Sequence, residues 1–309
     1  MLAHAGAGAR ATQIIAGGTD LIPSMRQKLF EPQYVLDIRH IAELKGIREQ
    51  GSAVEVGALT SLSAIEQSTL LRQRYPVLIE AAATVASPLL RNMGTIGGNL
   101  CQRPRCWYYR NNFPCYKHGG NTCFSAAGEN DYHAILEGGP SYIVHPSDSA
   151  PALVALGATA RIASGSRERT VPMEKFFVTP RENVRRENVL QPNEILTAID
   201  VPNAPAGSKA VYVKEMVREI WDFALCSVAA MVTVKDGVVS DVRIVLGGVA
   251  PVPYRALKAE AALTGKPLSE ANATAAGIAA TEGARPLAKN AYKVPLTQAV
   301  VKRALLSLA

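Results

Sequence analysis

The sequence lacks the features that place a chain in a membrane or on nucleic acid. No apolar run in its 309 residues reaches the roughly 18 that suggest a membrane span. The first ten residues lack a basic segment followed by an apolar core, so they do not resemble a secretory signal. Despite a formal charge of +7, lysine and arginine are not concentrated in a run with interleaved aromatics, which argues against nucleic-acid binding. We expect a cytoplasmic chain, exported only together with a partner subunit that carries a signal.

The sequence also lacks the usual patterns of catalytic residues. There is no Gly-x-Ser-x-Gly elbow and no side chain that reads as a general base, so we predict no catalytic residue. There is no Gly-x-Gly-x-x-Gly fingerprint, so a Rossmann domain is not indicated. Such a chain fits a protein whose chemistry is carried by cofactors. The positive charge then reflects either a solvated basic surface or attraction to anionic cofactors or an acidic partner.

Cysteine is scarce but clustered. Four of the five cysteines lie within 23 positions. These are Cys101, Cys106, Cys115 and Cys123. The spacing lacks the paired C-x2-C of structural zinc sites and does not match a bacterial ferredoxin run. Because thiolates bind soft metals, the spacing leaves both zinc and an iron–sulfur cluster open. The fifth, Cys226, lies in an apolar strand-like run, where we expect a buried structural thiol.

Two glycine-containing stretches have the pattern of anion-binding loops. Residues 16–21, the first glycine loop (Ala-Gly-Gly-Thr-Asp-Leu), follow a predicted strand at 13–15. Residues 95–100, the second glycine loop (Thr-Ile-Gly-Gly-Asn-Leu), run directly into the cysteine segment, residues 101–123. Glycine allows positive φ and close approach, so that consecutive backbone N–H groups can point at a phosphate. An ordinary tight turn is the alternative for the first loop.

Hydrophobic periodicity predicts an α+β fold in which strands and helices occur in both halves. The predicted strands lie at 34–38, 52–57, 141–144, 158–163, 194–201, 210–213, 224–234 and 242–250. The predicted helices lie at 76–86, 150–156, 255–263, 268–282 and 295–308. Residues 60–63 (Thr-Ser-Leu-Ser) offer N-cap residues for a further helix that carries Ile65, Leu70 and Leu71. Asp236-Gly237 predicts a tight hairpin turn. The segment at 202–208, rich in proline, glycine and serine, is the best candidate linker.

Taken together, these motifs resemble a known family. The two glycine loops, His145-Pro146-Ser147-Asp148 and the stretch at 246–251 (Leu-Gly-Gly-Val-Ala-Pro) are similar to the FAD-binding medium subunit of molybdenum hydroxylases, the xanthine dehydrogenase and carbon monoxide dehydrogenase type. The resemblance implies a vanillyl-alcohol-oxidase-like FAD-binding domain of two α/β subdomains at 1–204. A C-terminal flavoprotein domain of a small antiparallel sheet and helices would follow at 205–309.

The resemblance also implies a set of cofactor-binding residues and partners. FAD would contact Ile15, Ala16, Gly17, Gly18, Thr19, Asp20, Leu21, Thr95, Ile96, Gly97, Gly98, Asn99, Asp148, Leu196 and Lys214. The partners would be a large subunit with the molybdenum cofactor and a small subunit with 2Fe–2S centres. The electron acceptor would be NAD, ferredoxin, a quinone or oxygen.

The cysteine segment indicates which subtype of this family the sequence resembles. An insertion at about 101–140 resembles that of 4-hydroxybenzoyl-CoA reductase and periplasmic aldehyde oxidoreductases, which carry an additional 4Fe–4S cluster. Cys106, Cys115 and Cys123 match three ligands, whereas Ser141 stands at the position of the fourth cysteine. We therefore expect Cys101 to supply the fourth thiolate; the alternatives are an oxygen ligand in its place, or a labile or absent cluster.

Other expectations follow from the same comparison of motifs. Family members have a strand and a helix before the first glycine loop, where this sequence has only about a dozen residues, so we expect a shortened first subdomain. Two further functions stay open at this point. One is a zinc-stabilised interaction subunit without redox activity, and the other is a stand-alone flavin oxidoreductase.

Overall fold

The structure, a computed structural model of the chain, describes residues 12–309. In that range the chain forms three β-sheets and eleven α-helices, which confirms the predicted α+β class. The expectation of a shortened start concerns residues 1–11 and lies outside the described residues. None of the described helices is long and apolar enough to cross a lipid bilayer.

The first glycine loop belongs to a small β-α-β unit. Strand β1 (Thr12–Ile15) runs parallel to β2 (Tyr34–Asp37), and helix α1 (Leu21–Arg26) lies between them in the chain. Parallel strands need a crossover connection, and the first glycine loop is the turn that leads from β1 into it. The loop therefore lies at the carboxyl end of β1, the edge at which open α/β units bind ligands.

A five-stranded antiparallel sheet forms the centre of the N-terminal part, in the order β3-β4-β7-β5-β6. Its strands are β3 (Ile47–Gln50), β4 (Ala53–Gly57), β5 (Thr159–Ser164), β6 (Arg167–Pro172) and β7 (Ile195–Pro202). The chain leaves this sheet after β4 and returns at β5. The second glycine loop and the cysteine segment both lie in that excursion, at residues 58–158.

The excursion is mostly helical. Its helices are α2 (Leu62–Gln67), α3 (Thr69–Arg74), α4 (Pro76–Ala83), α5 (Pro88–Met93), α6 (Ile96–Cys101), α7 (Trp107–Arg110) and α8 (Ser149–Ala155). Hydroxyl side chains cap several of them, as the sequence predicts for the start of α2, where Ser61 Oγ accepts from Ala64 N–H at 3.1 Å. Thr95 caps α6 in the same way, so the second glycine loop is the first turn of a helix.

The C-terminal part is a four-stranded antiparallel sheet covered by helices, in the order β11-β10-β9-β8. Its elements are β8 (Ser208–Glu215), β9 (Cys226–Lys235), β10 (Val238–Gly247), β11 (Tyr254–Arg255), α9 (Leu257–Leu263), α10 (Glu270–Ala280) and α11 (Lys293–Leu306). Asp236 and Gly237 join β9 to β10 with φ of 52° and 79°, the positive pair that the predicted tight hairpin requires. Cys226 is fully buried in β9, as predicted.

Helix α8 connects the two hydrophobic cores. Its side chains are buried throughout, and Leu153 packs in the N-terminal core together with residues of the C-terminal sheet such as Met231 and Val245. A second core lies between that sheet and helices α9 to α11. The two parts of the chain therefore share apolar contacts at α8, and the residues preceding α8 are held between them.

The predicted strand at 141–144 is wrong. This segment is irregular, and its backbone makes isolated bonds to unrelated partners: Ala134 N–H donates to Tyr142 O at 2.9 Å, and His145 N–H donates to Ala250 O at 3.1 Å. A strand needs a repeating ladder with one neighbour, which periodicity alone does not reveal. Between α7 and α8 the chain forms only short 3-10 turns, at Tyr116–His118 and Phe124–Ala126.

Candidate functional site

The two glycine loops pack directly against each other. A Cβ on Gly17 would lie 1.9 Å from the carbonyl oxygen of Met93, just before the second loop, so only glycine permits this approach. Gly18 has φ of +73°, the left-handed region that favours glycine. The pairing of the loops across a long stretch of sequence was not visible in the sequence, although each loop was.

Three consecutive backbone donors of the first loop are free. No hydrogen bond among residues 12–309 uses the N–H of Gly17, Gly18 or Thr19. In the second loop Gly97 N–H donates to Ala58 O at 2.9 Å and Gly98 N–H to Thr95 Oγ1 at 3.1 Å. The first loop thus presents an anion-binding surface. The second loop contributes Gly98, which has no side chain, to the wall of the same cleft.

These loops line a large cleft of about 750 Å³, within the size range of ligand pockets. Residues 16–21 all line it, as do Thr95 and Gly98. Cationic side chains and a histidine also line it: Arg103, Lys117, His118, Arg185 and Arg186. Lys117 and Arg103 are paired with buried Glu187. The cleft therefore combines open N–H groups with positive charge, a combination that suits an anion such as a pyrophosphate.

Asp20 ties the first glycine loop to the cysteine segment. Its Oδ2 accepts from Arg103 N–H at 2.8 Å, and its Oδ1 lies 2.8 Å from Arg110 Nη2 and 2.9 Å from Arg105 Nη1. Burial alone would raise the pKa of Asp20, but the two guanidinium groups outweigh it and hold the pKa below its usual range. The arginines that the sequence places near the cysteines thus pair with a carboxylate.

A second cavity of about 370 Å³, the Asp148 cavity, lies where both parts of the chain meet. Asp148 Oδ2 accepts from Lys214 Nζ at 2.8 Å and its Oδ1 from Tyr212 Oη at 2.8 Å. Burial raises the pKa of Asp148, and the Lys214 ammonium opposes that rise. Arg105 also lines this cavity while its partner Asp20 lines the cleft, so their ion pair contributes to the wall between the two.

Besides Asn99, five predicted cofactor residues do not line the cleft or the Asp148 cavity. They are Ile15, Ile96, Gly97, Leu196 and Lys214. Asn99 does not line them either, but its Oδ1 accepts from the Ser147 hydroxyl at 2.5 Å. That bond joins the second glycine loop to the residue before Asp148. These residues therefore support the two cavities from behind.

Three of the four clustered cysteines surround one small cavity, the cysteine cavity. Cys106, Cys115 and Cys123 line it together with Ser141. The Cys115 and Cys123 thiols are near enough to raise the pKa of Cys106, which burial, the main cause, takes to about 11. His133 Nε2 lies 3.3 Å from Cys106 Sγ. Cys106 lines the Asp148 cavity as well, so its side chain separates the two.

The expectation that Cys101 joins the other three cysteines needs correction. Cys101 is the last residue of α6 and lines the cleft, not the cysteine cavity. Helix α6 is anchored by Ile96 and Leu100 in the N-terminal core, and Cys101 packs against the same core. Burial there raises the pKa of the Cys101 thiol to about 12. Cys101 is close to the other three cysteines in sequence, which suggested a shared site. The direction of α6 instead places Cys101 on the cleft.

No ready-made site for a single metal ion exists among the described residues: nowhere in 12–309 are three His, Cys, Asp or Glu side chains grouped closely enough to hold one. Around one zinc ion, thiolate sulfurs at 2.3 Å would lie about 4 Å from each other. The zinc alternative therefore lacks convergent ligands in this arrangement.

Comparison with known proteins identifies the family. The profile described as "FAD binding domain in molybdopterin dehydrogenase" matches residues 2–204, and that of "CO dehydrogenase flavoprotein C-terminal domain" matches residues 211–308. The chain belongs to the FAD-binding medium subunits of the molybdenum hydroxylase family. As a member it is a flavoprotein subunit of an oxidoreductase.

Individual relatives agree with that assignment. The chain is 33% identical over 290 residues to the aldehyde oxidoreductase FAD-binding subunit PaoB of Escherichia coli, covering 93% of this chain and 88% of the relative. It is 31% identical over 298 residues to the carbon monoxide dehydrogenase medium chain of Hydrogenophaga pseudoflava, covering 95% and 88%. A solved structure of carbon monoxide dehydrogenase from that organism matches with a TM-score of 0.78 at 31% identity, over 99% of this chain and 92% of the other.

Sequence reasoning missed several residues of this medium subunit. Arg185 and Arg186 on the cleft were not singled out, and the bond from Tyr212 to Asp148 was not foreseen. The two arginines lie in a loop far from either glycine motif, and nothing in their sequence spacing marks them. The contact of His133 with Cys106 depends on the irregular path of the chain between them, which the sequence does not reveal.

Proposed function

We propose that the chain is the FAD-carrying electron-transfer subunit of a molybdenum hydroxylase complex. In this proposal a large subunit with the molybdenum cofactor transforms the substrate, and a small subunit with 2Fe–2S centres exchanges electrons with the flavin held here. The external acceptor would be NAD, ferredoxin, a quinone or oxygen. The FAD-binding domain would span residues 1–204 and the C-terminal flavoprotein domain residues 205–309.

The observation that carries the proposal is the cleft with its open backbone donors. The N–H groups of Gly17, Gly18 and Thr19 are unused, and Arg185 and Arg186 line the same cleft. A dinucleotide pyrophosphate carries the negative charge that such a surface binds. Gly98 lets the cofactor approach the second loop because its missing Cβ would meet only Thr95 Oγ1, at 3.1 Å.

The other predicted contacts take supporting roles in this scheme. Asp148 would orient the remainder of the cofactor from the Asp148 cavity, and Lys214, which does not line that cavity, would hold the Asp148 carboxylate in place. Asn99 and Ser147 fix the second glycine loop relative to that cavity. Ile96 and Leu196 are buried in the N-terminal core, and Gly97 N–H donates to Ala58 O. When bound, FAD supplies exchange between one-electron and two-electron carriers.

We further propose that the cysteine segment holds a 4Fe–4S cluster. This proposal is supported by the ligand atoms available in the segment. Three thiols line one cavity, and thiolates are the ligands that an iron–sulfur centre prefers. The cavity is small, about 10 Å³, so the surrounding segment has to move outward to admit a cluster. That segment contains the short helix α7 and a 3-10 turn but no strand, so no sheet pairing has to break when it moves.

An absorbance spectrum of the native complex, with flavin, iron and zinc analysis of this subunit, tests the proposal. We expect one FAD and four irons per chain. Zinc at one per chain without iron or flavin would instead favour the interaction subunit. A monomer that turns over an organic substrate without partners would favour the stand-alone oxidoreductase.

The variant Gly98→Ala tests the cleft itself. The added methyl group would project from the second loop with Thr95 Oγ1 as its nearest protein neighbour, so the fold should tolerate it while the cofactor should not. We expect a loss of most bound FAD with an unchanged unfolding temperature of the flavin-free protein. Ala261→Ser, which also adds one heavy atom but on the exposed side of α9, is the matched control. Full FAD content in Gly98→Ala would contradict the proposed position.

A further inference from the structure

Lys293, the first residue of α11, is a fully buried cation without a carboxylate partner. The residue has no exposed surface, and among residues 12–309 its side chain takes part in no ion pair. Burial lowers the pKa of its ammonium group to about 8, so the charged form still predominates at pH 7. A buried charge is costly unless it is paired, so a lysine kept in this position indicates a role other than stability.

The Lys293 ammonium group is held by three backbone carbonyls of one cavity wall. Its Nζ donates to Gly248 O at 2.6 Å, and to Tyr132 O and His133 O at 3.3 Å each. All three of these residues line the Asp148 cavity. Asn290 adds a bond from its Nδ2 to His133 O at 3.0 Å. The beginning of α11 therefore fixes the position of this wall.

Each charged side chain on the wall of the Asp148 cavity has an opposite charge beside it. The pairs are Asp148 with Lys214, Arg105 with Asp20, and Arg218 with Asp222. Two histidines also line the cavity, His133 and His145, and burial lowers the pKa of each to about 4, so both are neutral at pH 7. Lys293 thus adds a positive charge next to the cavity that no carboxylate offsets.

The charge of Lys293 acts on the cavity wall. After burial, the Lys293 ammonium group is the next cause that lowers the pKa of the His133 ring. Charges interact more strongly in the interior of a protein than in water, because the effective dielectric constant is lower there. A ligand in the Asp148 cavity would therefore experience the same positive field.

We propose that Lys293 is a positioning residue of the cofactor site, which fixes the wall of the Asp148 cavity and supplies a positive charge that favours an electron-rich, anionic ligand there. This inference rests on the proposed function, in which Asp148 orients part of FAD from this cavity. A flavin that takes up two electrons from the 2Fe–2S centres and one proton from water gains one negative charge. A nearby cation stabilises that reduced form relative to the oxidised form, so Lys293 would raise the midpoint potential of the flavin.

The variant Lys293→Gln separates the charge from the hydrogen bonds, because the amide keeps N–H donors for the carbonyls but has no charge. In a reductive titration of the native complex we expect it to retain FAD and to show a more negative flavin midpoint potential than the wild type. Lys293→Met lacks both the charge and the donors, so it should bind less FAD and show the same shift in the FAD that it retains. Lys235→Gln, the same change at the exposed end of β9, should leave the potential unchanged.

Three results would overturn the inference. A wild-type potential in FAD-loaded Lys293→Gln rejects the role of the charge. Weaker binding of oxidised FAD with an unchanged potential, or complete loss of FAD from both variants at an unchanged unfolding temperature, shows that Lys293 serves binding alone. A wild-type complex without FAD in this subunit rejects the proposed function and this inference together, so the flavin content of the wild type distinguishes the two failures.

Discussion

At the scale of single residues, Asp20 joins two features that look independent in the sequence. It was predicted to contact FAD, but its carboxylate is occupied by Arg105, Arg110 and the backbone of Arg103. Its role in the structure is to fix the start of the cysteine segment against the first glycine loop. The chemistry of the residue type was visible in the sequence, whereas its partners, more than 80 residues away, were not.

Asp20→Asn should destabilise the protein by about 2 kcal/mol at pH 7, because it removes charge-assisted bonds from two guanidinium groups. The folded-state pKa of Asp20 lies below its ordinary value, so its contribution is present above the unfolded pKa of about 3.9 and is lost as pH falls through the folded pKa. Urea unfolding of the wild type and the variant between pH 7 and pH 3 measures this contribution of Asp20 to the free energy of unfolding. The difference from wild type should shrink at the acid end, whereas exposed Asp241→Asn should change little throughout.

The pair formed by Lys214 and Asp148 gives a second prediction at this scale. Their side chains are only 1% and 6% exposed, and removing one partner of a buried pair costs about 3–5 kcal/mol. Lys214→Met should therefore lower the free energy of unfolding by that amount. Adding Asp148→Asn should recover part of the loss, and Lys235→Met at the exposed end of β9 should have little effect. If the losses of unfolding free energy in Lys214→Met and Asp148→Asn simply add up in the double variant, the two side chains do not stabilise each other.

At the scale of elements, the two glycine loops have different tasks. Gly17 is required because the backbone of Met93 occupies the space of its Cβ. Gly98 is exposed, and its Cβ would point away from other backbone. One glycine thus holds the loops together, and the other keeps the cleft wall bare.

Gly17→Ala and Gly98→Ala should separate these tasks. Overpacking costs typically about 1–3 kcal/mol, and at Gly17 the clash is with backbone, so we expect a loss near the upper end together with loss of FAD. Gly98→Ala should lose FAD with stability retained. Thermal unfolding of the flavin-free proteins, with flavin content measured in parallel, distinguishes them. Equal stability of the two variants would contradict the assignment.

Elements with local signals were predicted well, and those fixed by distant contacts were not. Asp236-Gly237 and the Ser61 cap follow from local backbone and hydrogen-bond requirements, and both are present. The segment at 141–144 alternates like a strand but has no neighbouring strand to pair with. Cys101 was assigned by closeness in sequence, although it is the end of a helix whose direction is set by the core.

At the scale of the whole molecule, α8 makes the two parts of the chain interdependent. It is buried between the five-stranded region and the C-terminal sheet, and Asp148 at its start bonds to Tyr212 and Lys214 on β8. The Asp148 cavity exists only while both parts are in place. A boundary could be read from the linker composition at 202–208, but not the extent of this shared surface.

Leu153→Ala in α8 should destabilise both parts together. Truncating a buried leucine costs about 2–5 kcal/mol, and Leu153 is 1% exposed. Hydrogen exchange should show faster opening in β4 and in β9 by similar factors. Leu257→Ala, on the exposed side of α9, serves as the control. Faster exchange in β4 alone would mean that the two parts open independently.

Cys106 lines both the cysteine cavity and the Asp148 cavity. The Cys106 side chain thus borders two cavities that the proposed function assigns to different cofactors. A bulky alkylating group on this thiol would block metal assembly on one side and narrow the neighbouring compartment on the other. If both proposed cofactors bind, Cys106 is the side chain through which filling one cavity would change the space available in the other.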